Sequence, residues 1–182
     1  MTCAVAARNC YLPLIVQGGL VVVWVMDARK LFEYSQVLRN RFLECVASLP
    51  WSEVVKSRGA SFDSLRNILL HTIDAEDNLV NCDIAGKTRD RVSRKPEGFS
   101  DMDSIRKCAD EVESKTRAYV ANLKPEDLER KVEFQRSGAP SVWFRVEDVL
   151  VHCALENISH YGELIALLWQ MDVEPPYRGW LG

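Results

Sequence analysis

The sequence predicts an all-α fold: a four-helix bundle with a long crossover and a short extended or hairpin insertion before the last helix. Three observations support this prediction. Apolar residues recur at three- and four-residue steps in four long segments, as on the buried side of amphipathic helices. Proline, glycine and polar clusters separate these segments. Residues 131–146 instead alternate around a turn, which is typical of two paired strands.

The helix ends are indicated by local signals. Pro50 ends the first helix, because the residue before a proline disfavours the helical conformation. Ser61 is the predicted N-cap of the second helix, since its hydroxyl can accept a bond from a free backbone N–H group. The third helix begins near Asp101 and ends before Pro125. The four predicted helices cover residues 27–49, 61–83, 101–124 and 146–171.

Three connecting segments lack helical periodicity. Residues 84–100 are rich in basic side chains, and we interpret them as a solvated crossover; the alternative is a lip that binds an anionic group of a substrate. Residues 131–146 are the predicted hairpin, and residues 172–182 are predicted to cross the bundle as an irregular strap. The basic side chains of the crossover are Lys87, Arg89, Arg91, Arg94 and Lys95.

The composition restricts the class of protein. A chain of 182 residues suits one domain whose core needs neither disulfides nor a metal for stability. The 23 basic and 26 acidic residues give a formal charge of -3, which argues against nucleic acid as the main partner. The six cysteines are scattered and form no C-x-x-C pair, so we interpret them as buried thiols in a reducing compartment and predict a cytoplasmic protein.

Residues 1–25 form an apolar N-terminal extension that we place outside the fold, and residues 26–182 form the predicted bundle domain. The apolar run is interrupted by Pro13, Gln17 and a glycine pair, so it is too short and too broken for a membrane span. It also lacks the small residues of a signal-peptide cleavage site. Met26 is then a candidate initiator; a peripheral membrane anchor is the alternative interpretation.

The last predicted helix contains His152, Glu156 and His160 at four-residue spacings in an otherwise apolar pattern. At 100° per residue they fall within an arc of about 80°. Two neighbours can bind one ion, but the first and last are about 12 Å apart along the axis, so a third ligand must come from elsewhere. The remaining histidine is His71, in the second helix. The residues alone fit a metal site, a buried polar network or a solvated face.

Three stretches resemble the DinB (DinB/YfiT-like) family of four-helix-bundle metalloproteins: SFDSLRNILLHTIDAEDNLV, HCALENISHYGEL and MDVEPPYRGWL. The resemblance covers residues 26–182 and implies that His71 and His160 are metal ligands. Glu156 stands where many relatives have the first histidine of a pair, and Glu163 where they have glutamine. His152 matches a histidine that often precedes the pair.

The resemblance therefore implies a divalent-metal site made of His71, Glu156 and His160, with His152 as a catalytic group for proton transfer. Two imidazoles and a carboxylate bind catalytic zinc and non-haem iron, and Ni²⁺ and Mn²⁺ are further candidates. The family also suggests a homodimer that acts on a small-molecule substrate, as a metal-dependent thiol transferase or hydrolase, with a low-molecular-weight thiol as cosubstrate.

Two alternatives to an enzyme stay open. In the first, the chain is a non-catalytic stress or interaction protein in which a structural metal clamps the second and last helices together. In the second, no ion binds and Glu156 pairs with His71 or His160 in a buried hydrogen-bonded network.

Overall fold

The computed structural model describes residues 11–16, 19–24, 27–134, 138 and 140–179, the first two ranges by their backbone alone. Met26 and most of the predicted extension lie outside the described residues. Its described part is an antiparallel hairpin of β1 (Tyr11–Val16) and β2 (Gly19–Trp24). These two strands are not among the elements predicted from the sequence. Whether residues 1–25 belong to the fold stays a prediction.

The rest of the described chain is mostly helical, as predicted. A second antiparallel hairpin, β3 (Lys131–Phe134) with β4 (Val142–Arg145), precedes the last helix and confirms the predicted insertion. Among the described residues, no helix combines the length and apolar character needed to span a membrane. The elements in chain order are α1 (Ala28–Ala47), α2 (Trp51–Val55), α3 (Leu65–Glu76), a π-helical segment (Asp77–Ile84), α4 (Met102–Ala121), α5 (Pro125–Leu128), β3 (Lys131–Phe134), β4 (Val142–Arg145) and α6 (Val146–Trp169).

Side chains cap the long helices. Asp27 and Asp101 accept hydrogen bonds from backbone N–H groups in the first turns of α1 and α4, which confirms the predicted start of the third helix. The predicted cap of the second helix is wrong, because Ser64 rather than Ser61 accepts the bond, from the Asn67 backbone N–H at 3.3 Å. Ser61 lies in the preceding loop.

The crossover after the π-helical segment is held by ion pairs. Arg91 binds Asp83, and Arg94 binds both Asp74 and Asp77. Two of the predicted basic side chains are therefore engaged within the protein, on the surface of α3 and the π-helical segment. Binding of an external anion by the other basic side chains stays a prediction.

The long helical segments enclose the core. Phe42 from α1, Leu69 from α3, Ile105 from α4 and Leu164 from α6 belong to one buried apolar cluster. Phe42 also stacks on Tyr161, with ring centroids 5.2 Å apart. The strap of residues 172–179 crosses α1 as predicted; for example, Arg41 donates to the Tyr177 carbonyl at 2.9 Å.

A charged network lies inside this core. The side chain of Arg39 in α1 is fully buried and pairs with the equally buried Glu76 of α3 and with Glu113 of α4. Gln36 donates to Glu76 at 2.9 Å, and Asn40 donates to Glu113 at 3.0 Å. Burial opposes the charge on Arg39, but the two carboxylates raise its pKa above its usual value. The network connects three helices.

We expect the substitution Arg39→Ala to lower the free energy of unfolding by about 3–5 kcal/mol, because it leaves Glu76 as an uncompensated buried charge. Lys30→Ala is the matched control on α1, where the side chain is exposed; it should change stability by less than about 0.5 kcal/mol. Urea unfolding at neutral pH measures the free energy of unfolding of the two variants and of the wild type. Equal stability of the two variants would contradict a structural role for the network.

Candidate metal centre

Helices α3 and α6 bring together the three predicted metal ligands. His71 lies in the middle of α3, and Glu156 and His160 lie one turn apart on α6. One donor atom from each of the three side chains lies within 4.8 Å of the other two. His152 is exposed and does not belong to this group. His152 thus lies at the solvent side of α6, and its catalytic role stays a prediction.

Glu156 lies between the two imidazoles. Its Oε1 atom is 3.4 Å from His71 Nε2 and 3.2 Å from His160 Nε2. These distances are at the long end of the range for hydrogen bonds. Donor atoms bound at about 2.1 Å around a tetrahedral ion are themselves about 3.4 Å apart. The two separations from Glu156 Oε1 are therefore close to those around a divalent ion, and the donor atoms of the two imidazoles lie within 4.8 Å of each other.

The protonation states also suit metal binding. Burial lowers the pKa of His71 below its usual value, although the contact with Glu156 acts in the opposite direction. Partial burial of Glu156 favours its neutral form, but the contacts with His71 and His160 prevail and lower the pKa of the carboxyl. At neutral pH the site thus has a neutral imidazole at His71 and an anionic carboxylate at Glu156, which are the forms that bind cations.

The aromatic ring of Phe62 forms one wall of the site. It stacks on His71 with centroids 3.9 Å apart and meets the edge of His160 at 5.2 Å. The side chains of His71 and Glu156 retain 27% and 38% of their exposure, so the other side of the site is open to solvent. Phe62 is not among the predicted site residues, because its position depends on how the loop before α3 folds.

That loop, residues 56–64, is fixed by bonds at both ends. Asp63 adopts a left-handed conformation, with φ of 72°, and Gly59 does so with φ of 68°. The Asp63 carbonyl accepts from the Arg58 backbone N–H at 2.7 Å, and the Asp63 carboxylate accepts from the Ser57 hydroxyl at 2.5 Å. These contacts fix the loop that carries Phe62, and its ring lies over His71.

A second carboxylate lies behind His160. Glu163 Oε1 is 3.5 Å from His160 Nδ1, and Glu163 Oε2 accepts a hydrogen bond from the Ser61 hydroxyl at 2.6 Å. His160 Nδ1 is buried and has no hydrogen-bond partner of normal geometry in the described part of the chain. His160 thus has a carboxylate near each ring nitrogen.

The family assignment rests on residues 35–164, which match the model of the DinB superfamily. The chain belongs to the DinB superfamily. The matched range contains the three grouped side chains as well as His152 and Glu163, and the predicted resemblance is confirmed.

Among solved structures, this DinB-superfamily chain is similar to a DinB-like protein from Bacillus subtilis, YjoA. The two share 16% sequence identity with a TM-score of 0.63, over 82% of this chain and 97% of that chain. At this identity the likeness shows the fold alone. No curated protein matches the chain.

We expect Phe62→Ala to raise the pKa of His71 in the metal-free protein. The ring covers one face of the imidazole, and burial is the main cause of the lowered pKa, so removing the ring lets water stabilise the charged form. A proton NMR titration of the His71 ring measures the change. Phe144→Ala removes an exposed ring on β4 and is the control. An unchanged pKa in Phe62→Ala would show that Phe62 does not desolvate the site.

Proposed function

We propose that this DinB-superfamily chain binds one divalent metal ion through His71, Glu156 and His160, and acts as a metal-dependent enzyme on a small-molecule substrate. The observation that supports this most directly is the convergence of the three donor groups. His71 and Glu156 are 85 residues apart in sequence, yet their donor atoms lie within 4.8 Å of each other and of a donor atom of His160.

The donor set suits Zn²⁺, Fe²⁺, Mn²⁺ or Ni²⁺, since imidazole and carboxylate groups together bind all four. When bound with three protein ligands, such an ion polarises a water or a thiol and favours its deprotonation. This chemistry fits a thiol transferase or a hydrolase, the former with a low-molecular-weight thiol as cosubstrate.

The surrounding residues have separate tasks in this proposal. Glu156 supplies one negative charge that partly offsets the charge of the ion, and Phe62 excludes water from one face of His71. His152 is exposed and lies about 6 Å from Glu156 along the axis of α6, towards its N-terminus. In this proposal it exchanges protons with solvent. The four long helical segments form a DinB-type four-helix bundle, supported by the mutual contacts of α1, α3, α4 and α6 and by the similarity to YjoA.

A non-catalytic role is the second candidate, and one observation favours it. Glu156 contacts both imidazoles directly, so it can link α3 to α6 either as a hydrogen-bonded network or together with a structural ion. The chain is then a stress or interaction protein whose site serves stability alone.

We expect the purified protein to bind one Zn²⁺ or Mn²⁺ ion per chain, and His71→Ala to abolish this binding. Removing one of three ligands leaves two donors on a single helix, which hold an ion weakly. His152→Ala is the matched control, because this histidine is exposed and outside the group; its stoichiometry should equal that of the wild type. Equilibrium dialysis with elemental analysis measures the number of ions bound per chain in the wild type and in both variants.

Thermal unfolding with and without a chelator separates the two roles. A catalytic ion present at about 100 times its Kd adds about 2.7 kcal/mol of stability, and the metal-free protein stays folded. A structural clamp predicts that chelation unfolds the protein or removes much of its stability. Unchanged metal content in His71→Ala would remove α3 from the site, and no binding by the wild type would leave the hydrogen-bonded network.

The proposed protein is a cytoplasmic homodimer. Cys45, Cys82, Cys108 and Cys153 are free thiols, which supports a reducing compartment. One side of α6 supports self-association: Leu155 and Trp169 are each more than half exposed, and the small residues Gly162 and Ala166 lie exposed between them.

We expect the substitution Leu155→Glu to convert a dimer into a monomer in sedimentation velocity, because it places a charge on the apolar side of α6. Val37→Glu is the control, since Val37 is a comparably exposed apolar residue on α1. A wild-type protein that sediments as a monomer would contradict the homodimer, and a dimeric Leu155→Glu variant would exclude this side of α6.

A further inference from the structure

The contacts behind His160 form a continuous chain from the proposed metal site to the loop before α3. His160 Nε2 faces Glu156, and its other ring nitrogen, Nδ1, faces Glu163 Oε1 at 3.5 Å. Glu163 Oε2 accepts from Ser61 at 2.6 Å, although the two residues are 102 positions apart. The loop and α6 are thus joined through one carboxylate.

The chemistry of imidazole decides which ring nitrogen of His160 must carry the proton when the other binds an ion. A neutral imidazole has one N–H group and one free lone pair, on opposite nitrogens. If Nε2 is to offer its lone pair to an ion, the proton must be on Nδ1. This atom is buried and has no hydrogen-bond partner in the described residues, and Glu163 Oε1 faces it at 3.5 Å. A buried N–H group without an acceptor costs about 1–3 kcal/mol, so an acceptor at Glu163 favours the form that binds metal.

Glutamate at position 163 restricts the tautomer of His160 more than glutamine would. A carboxylate can only accept hydrogen bonds, whereas an amide can also present N–H groups to the ring. Glutamate therefore opposes the tautomer with the lone pair on Nδ1, which glutamine could accommodate by turning its amide. Ser61 occupies the second carboxylate oxygen and so restricts the rotation of the Glu163 side chain.

We propose that Glu163 is a positioning residue that fixes His160 with its proton on Nδ1 and its lone pair on Nε2, and that Ser61 holds Glu163 in place. The inference rests on the proposed metal site and assigns two residues to it that contribute no ligand atom. Carboxylates that accept from a metal-bound histidine typically change metal affinity by about 10–100-fold.

Cobalt binding tests this inference, because the visible absorption of Co²⁺ reports both affinity and ligand geometry. In competition with a chelator, Glu163→Ala should bind Co²⁺ about 10–100-fold more weakly than the wild type and show a shifted absorption band. Glu163→Gln should recover part of the affinity, since its carbonyl oxygen still accepts. Ser61→Ala should lose less than Glu163→Ala. Glu33→Ala removes an exposed carboxylate on α1 and is the matched control.

A second measurement tests for the proposed hydrogen bond between His160 Nδ1 and Glu163. In the Zn²⁺-loaded wild type, the His160 Nδ1–H proton should appear in NMR spectra as a slowly exchanging downfield resonance. It should exchange faster with water in Ser61→Ala and be lost in Glu163→Ala. Glu163→Met keeps the length of the side chain without an acceptor and replaces Glu163→Ala if that variant does not fold.

The outcomes distinguish the two proposals. A wild type that binds neither Co²⁺ nor Zn²⁺ overturns the metal site and, with it, the role of Glu163. A wild type that binds Co²⁺, with the same affinity and absorption band in the variant that lacks an acceptor at position 163, overturns the positioning role alone. Weaker Co²⁺ binding by Glu163→Ala, with partial recovery in Glu163→Gln, supports both the metal site and the positioning role of Glu163.

Discussion

The pairing of Arg39 with Glu76 inside the core is the constraint on which the rest of the structure depends. Two fully buried charges must meet, since either alone is strongly unfavourable away from water. Glu76 is five residues after His71, about 140° further round the helix. Holding Glu76 against α1 therefore fixes the rotation of α3 and directs His71 towards α6. Stability and the candidate site are linked through the rotation of a single helix.

The π-helical segment and the crossover extend this constraint along the chain. Arg94 binds Asp74 in α3 and Asp77 at the start of the π-helical segment, so one guanidinium spans the point where the helix changes its winding. Irregular helical turns of this kind are frequent near functional sites. Here the change begins directly after Glu76. Arg94 thereby holds α3 in place from outside, as Arg39 does from inside.

The sequence was informative where a signal is local and periodic. Helical spacing brought Glu156 and His160 to one face of α6, and the family resemblance added His71. Periodicity did not indicate that Arg39 pairs with Glu76, because an arginine followed by Asn40 and Arg41 is typical of a solvated face. Ser61 and Ser64 both fit the rule for an N-cap, so the rule alone does not identify which of them caps α3. The stacking of Phe62 and the contact of Ser61 with Glu163 depend on the fold of a loop, which no periodic pattern encodes.

The two carboxylates beside His160 explain why an ion suits this site. A neutral imidazole can donate to Glu156 or to Glu163 but not to both, so without an ion one contact lacks a proton unless His160 becomes charged. Were a cation bound as proposed, His71 and His160 would offer it their Nε2 lone pairs, Glu156 would offer its carboxylate, and the Nδ1 proton of His160 would remain for Glu163. In the proposed function a bound ion would satisfy His71, Glu156 and His160 directly, and Glu163 through the Nδ1 proton of His160.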